Sequence, residues 1–141
     1  MSRYHYELRK VREMERREPY YALLDAIIAG GYTLEGARRA ILERLERIRE
    51  RVESLGKGDI YIESPVMSLP TEYVREKLRR KEKMYQNLLR SLEYYAELCI
   101  ENPGLIDLMI EQHFTGRKRE AKEVFRRFCG NITGGLLRYM R

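Results

Sequence analysis

Tryptophan is absent from this chain of 141 residues, and histidine, cysteine and proline number only two, two and four. His5 and His113 stand in no E-x-x-H or H-x-x-x-H frame, which excludes the helix-borne ligand sets of zinc hydrolases and di-iron bundles. Asp107, Glu111 and His113 come nearest to a ligand set, and their spacing reads as a solvated acidic face. Cys99 and Cys129 form no C-x-x-C pair, so zinc ribbons and thioredoxin-like redox motifs are excluded. Both sit beside apolar helical residues and read as buried thiols, with a disulfide as the alternative. Thiols of that kind imply a reducing, intracellular setting.

Long apolar runs are also lacking, and residues 1–10 are already charged, so neither a membrane span nor a secretory leader is expected and the location reads as cytoplasmic. Gly30-Gly31 and Gly134-Gly135 fit neither G-x-G-x-x-G nor G-x-x-x-x-G-K, which leaves nucleotide binding without a frame. With two histidines, a serine or cysteine nucleophile has few candidate bases. The expectation is a non-enzymatic protein with no metal and no cofactor.

What the chain has in quantity is charge. Charged residues make up 35% of it, against the usual quarter, which points to long solvated helix faces. The 28 basic and 22 acidic residues leave +6, and by count 21 of the basic ones are arginine. Guanidinium forks suit phosphate and carboxylate recognition. Compositional bias alone produces the same ratio.

Gly, Pro and capping residues divide the chain into helical blocks. A charged helix is expected over 2–17, and a second, short one from Pro19 through Ala29, since proline suits a first turn. Thr33 is placed to cap a third helix over 34–55, with Ile41, Leu45, Ile48, Val52 and Leu55 at 4,3 spacing. Residues 57–69 read as an extended connector, because Ile60-Tyr61-Ile62 has strand character but no evident partner. A fourth helix over 71–101 carries the seam Val74, Leu78, Lys81, Tyr85, Leu88, Leu92, Tyr95 and Cys99. Lys81 is its one polar member, so the seam is not wholly closed there.

Asn102-Pro103-Gly104 breaks that helix, and a short one follows, with Leu105, Ile106, Met109 and Ile110 apolar. A last helix presents Ala121, Val124, Phe125 and Phe128 and should stop at Gly130, leaving 131–141 as a flexible tail. The whole reads as one all-α domain over 1–141, a helical bundle built on a long antiparallel hairpin of 34–55 against 71–101.

Two stretches concentrate positive charge. One holds Arg75, Lys77, Arg79, Arg80, Lys81 and Lys83 against Glu76 and Glu82. The other, toward the C-terminus, holds Arg117, Lys118, Arg119, Lys122, Arg126, Arg127, Arg138 and Arg141 against Glu120 and Glu123. Such density suits a surface that tracks phosphates. Arg75, Lys77, Arg79, Arg80, Lys83, Arg117, Lys118, Arg119, Lys122, Arg126, Arg127 and Arg138 are therefore the candidate nucleic-acid contacts. Tyr61, Tyr73 and Tyr139 lie beside these segments as stacking candidates. A helix-turn-helix can be sketched with its turn at Gly130-Asn131, though two glycines near the start of its reading helix oppose it.

In layout, a charged helical half, a polar connector and a long helix ahead of a basic C-terminus, residues 71–114 loosely resemble small phage-encoded late-transcription activators. That resemblance implies a DNA-binding or transcription-regulatory accessory of a virus or mobile element, and the full helix-turn-helix of that family is missing here. The expected partner is thus nucleic acid, DNA or RNA. The competing expectation is an assembly subunit whose heptad seams pair between copies, or whose basic face meets an acidic protein.

Overall fold

The computed structural model describes residues 3–55, 60–64 and 67–139, with side-chain surroundings for 16–55 and 71–134. Five helices, α1 (Arg3–Ala29), α2 (Leu34–Leu55), α3 (Thr71–Glu101), α4 (Pro103–His113) and α5 (Lys118–Tyr139), form an all-α bundle. Two short strands, β1 (Ile60–Ser64) and β2 (Met67–Pro70), interrupt the series between α2 and α3.

The expected hairpin is its frame. Ile41, Leu45, Ile48 and Leu55 of α2 are buried, as are Val74, Leu78, Leu88, Leu92 and Cys99 of α3. Two ion pairs, Arg38 with Glu93 and Arg49 with Glu82 at 3.5 Å, lie the same number of residues apart along each helix in opposite chain directions. That fixes the antiparallel register. Thr33 caps α2 as its position suggests, its Oγ1 accepting a hydrogen bond from the Gly36 N–H at 3.0 Å. Most of both seams is therefore buried within one chain.

The apolar interior is divided. The larger cluster joins all five helices around Leu23, Ile27, Ile41, Leu92, Ile110, Phe114, Phe125 and Phe128. The smaller one holds Ile48, Leu55, Val74 and Leu78. Between them the α3 seam offers Lys81, which is exposed, and Tyr85, which packs against both clusters. A lysine keeps its ammonium in water, so the seam opens where Lys81 stands.

Four local expectations are corrected. First, α1 runs unbroken through Pro19, where two helices were expected. Proline there removes one backbone hydrogen bond, and burial of Leu23, Leu24, Ala26 and Ile27 holds the following turns on the bundle. Second, the connector is a β-hairpin in which Ile60 pairs with Pro70, Tyr61 with Leu69, Ile62 with Ser68 and Ser64 with Met67. Pro70 is tolerated because it ends its strand.

Third, α5 does not stop at Gly130. The hydroxyl of Thr133 donates to the Cys129 carbonyl at 2.9 Å, the back-bonding of a residue inside a helix rather than a cap. With no turn at Gly130-Asn131, the sketched helix-turn-helix does not exist. Fourth, Cys99 and Cys129 are joined by a disulfide, with their Cα atoms 5.0 Å apart. It ties α3 to α5, and the argument for a reducing setting, which needed free thiols, loses its basis.

Tight turns position the rest. Where α1 gives way to α2, Gly31 and Tyr32 both take left-handed φ, 69° and 65°. Tyr32 is held there from α5 by the Asn131 side-chain amide, which donates to its carbonyl at 2.8 Å, and by the Arg127 guanidinium 5.1 Å from its ring centre. The α4–α5 turn is tied to α1 by Tyr21, whose hydroxyl accepts from the Gly116 N–H at 3.2 Å, and by a parallel stack of Tyr20 on His113 with centroids 4.0 Å apart.

Candidate nucleic-acid interface

The basic residues singled out in sequence fall on two elements with different electrostatic surroundings. On α5 and its approach the cations are paired. Arg117 bridges Asp25 of α1 and Glu120, each at 2.9 Å. Lys118 and Lys122 share Glu111 of α4 at 3.0 and 2.7 Å. Arg126 and Arg127 share Glu123 at 2.7 and 3.2 Å.

The carboxyls respond accordingly. Hydrogen bonds from Lys122 and Lys118 hold Glu111 below the usual carboxylate range. Arg117 does the same to Glu120, and Arg126 with Arg127 to Glu123. Arg119 is exposed and has no ion pair among the described residues. The side chain of Arg138 lies outside the described residues, as do those of Tyr61 and Tyr139.

On α3 the arrangement is different. Arg75 and Arg80 pair within their own helix, with Glu72 at 2.6 Å and Glu76 at 3.0 Å. Lys77, Arg79, Lys81 and Lys83 are exposed and have no ion pair among the described residues. Lys77 and Lys81 border a groove of about 340 Å³ between α2 and α3. Its α2 wall is Arg44, Arg47, Ile48 and Arg51, and its α3 wall is Tyr73, Val74, Lys77, Leu78, Lys81 and Tyr85. Among the described residues this groove is lined by the cations Arg44, Arg47, Arg51, Lys77 and Lys81 and by no carboxylate.

That like-charged facing has a local origin. α2 and α3 bury their apolar seams against each other, and residues flanking a seam are carried to its rim whatever their sign. At Arg38–Glu93 and Arg49–Glu82 the flanks are complementary and clip the helices together; at the groove both flanks are basic. Low-dielectric walls of Ile48, Val74 and Leu78 beneath the cations concentrate their field outward.

Sequence reading singled out Lys77 but left Arg44, Arg47 and Arg51 aside, because it scored charge along one helix at a time. Pairing the two heptad rims in antiparallel register is the signal that finds them. No metal-binding group of three or more ligating side chains occurs among the described residues, and no described helix is long and apolar enough to cross a membrane. No protein-family model matches the chain, and no curated protein or solved structure is significantly similar to it.

Proposed function

We propose that this protein binds the sugar-phosphate backbone of nucleic acid, as a non-enzymatic accessory or regulatory factor, through the groove between α2 and α3. The observation that carries the reading is the lining of that groove, where Arg44, Arg47, Lys77 and Lys81 gather with no carboxylate among the described lining residues. Cations held at this density release counterions from a polyanion when it binds, which is the main source of sequence-independent affinity. The groove offers backbone contact without a helix presented for base reading, so little sequence discrimination is expected. The paired cations of α5 take a smaller share, since each must give up a carboxylate before it meets a phosphate.

Fluorescence-anisotropy titration of labelled oligonucleotides at about 50 and 200 mM salt tests this. Four phosphate contacts, by Arg44, Arg47, Lys77 and Lys81, correspond to roughly a 50- to 150-fold loss of affinity between those conditions. Lys77→Glu with Lys81→Glu should abolish most of the binding and flatten the salt dependence. Arg126→Glu should do much less. Binding that ignores salt, or that survives the double reversal, would sink the proposal.

A further inference from the structure

A second cavity, about 520 Å³, lies on the neighbouring face of the same stretch of α3. The two share Tyr73, Lys77 and Lys81, so one short ridge of α3 separates them. Both linings carry cations, and in the cavity toward α1 these are Lys77, Arg80, Lys81 and Lys83, set beside the carboxylates Glu18 and Glu76. That cavity also has Pro19, Met84 and Leu88 for apolar contact and Asn87 and Ser91 for hydrogen bonding. Its volume falls among pockets that hold small organic ligands.

Resting on the backbone-binding reading above, we infer that the ligand is a single strand, with its phosphates in the α2–α3 groove and an unpaired base lodged across the Tyr73 ridge in the α1–α3 cavity. A base needs a flat apolar face and a few polar edge partners, and the cavity has both. The Asn87 amide supplies donors and an acceptor, and the Ser91 hydroxyl supplies one of each. Tyr73 is 56% exposed at the junction, open to stack on a base as it leaves the backbone track.

A duplex cannot use this arrangement as it stands. Its bases are paired and stacked, and lodging one would require extruding it, which costs a few kcal/mol. A single strand does not incur that cost. The cations Lys77 and Lys81, bordering both cavities, would hold the phosphates on either side of the turned-out nucleotide.

Three probes of equal phosphate number decide the matter, namely an intact single strand, the same strand with abasic sites and a matched duplex, each titrated against the full chain at about 50 mM salt. The intact strand should bind more tightly than either of the others. Tyr73→Ala should weaken it about 5- to 150-fold, the range of one base–aromatic stack, and leave the abasic strand unchanged, while Tyr73→Phe retains binding. If all three probes bind alike and lose affinity alike with salt, the base pocket is overturned and the backbone groove stands. If none binds, both fall.

Discussion

Gly30 and Gly36 meet backbone to backbone where α1 hands over to α2, the carbonyl of Gly30 occupying the place that a Cβ on Gly36 would need. A Cβ on Gly30 would likewise run into the Gly36 and Ala37 main chain. Backbone cannot rotate aside as a side chain can, so overpacking here costs about 1–3 kcal/mol, more than the roughly 1 kcal/mol that alanine gains in a helix. Gly36→Ala should therefore lower the denaturant midpoint. Gly130, inside α5 with open space around it, should respond with the opposite sign, Gly130→Ala raising stability by about 0.5–1 kcal/mol. Equal signs in chemical denaturation would contradict this packing.

The Cys99–Cys129 bond closes a loop with a sequence separation of 30. Chain-entropy arguments put its contribution at about 3–4 kcal/mol. Treatment with a reductant, or Cys99→Ala with Cys129→Ala, should cost about that much in urea unfolding. Intact mass before and after reduction should differ by the two hydrogens of a reduced disulfide.

Acid should weaken the ion pairs of Glu111, which links α4 to α5, and of Glu123 within α5. Glu111 and Glu123 are held below their ordinary value of 4.5 by Lys122 with Lys118 and by Arg126 with Arg127. Groups lowered on folding stabilise above the unfolded value, and that contribution is lost as pH falls through the folded ones. Stability should thus decline below about pH 4.5, and Glu111→Gln with Glu123→Gln should shallow the decline. These carboxylates are exposed, so added salt should shallow it too.

Alkali should act through Tyr95. Burial against the α3–α5 contact, reinforced by Tyr20 and Tyr94, pushes its phenol up to about 12 from 10.0. A group raised on folding stabilises fully below its unfolded value, so the contribution is lost as pH climbs from about 10 to about 12. Tyr95→Phe should keep the neutral-pH stability and remove that alkaline decline, as followed by circular dichroism. An unchanged profile would place the responsible group elsewhere.

The α2–α3 hairpin is legible in the sequence because Ile41 to Leu55 and Val74 to Cys99 repeat at heptad spacing, and two such stripes have few ways to be buried except against each other. The strand pair is less so: Met67-Ser68-Leu69-Pro70 has no β-branched residue and ends in proline, so Ile60 to Ile62 had no visible partner. Gly130 misleads because a lone glycine signals a helix end only where packing does not continue, and Phe128, Ile132 and the disulfide carry α5 past it. At the candidate site, the exposure of Lys77, Arg79 and Lys83 follows from local charge density. That Arg117 is neutralised by Asp25, or that Arg44 and Lys77 line one groove, depends on how distant segments meet, which charge counted along one helix does not contain.

Pro19 leaves α1 short of one rung at the point where Glu18 and Pro19 form a wall of the α1–α3 cavity. A helix yields most cheaply where a rung is missing, and the buried turn from Leu23 to Ile27 stays fixed behind it. Any bend of α1 would therefore be expected at Pro19, beside the cavity, and not in the packed turn behind it.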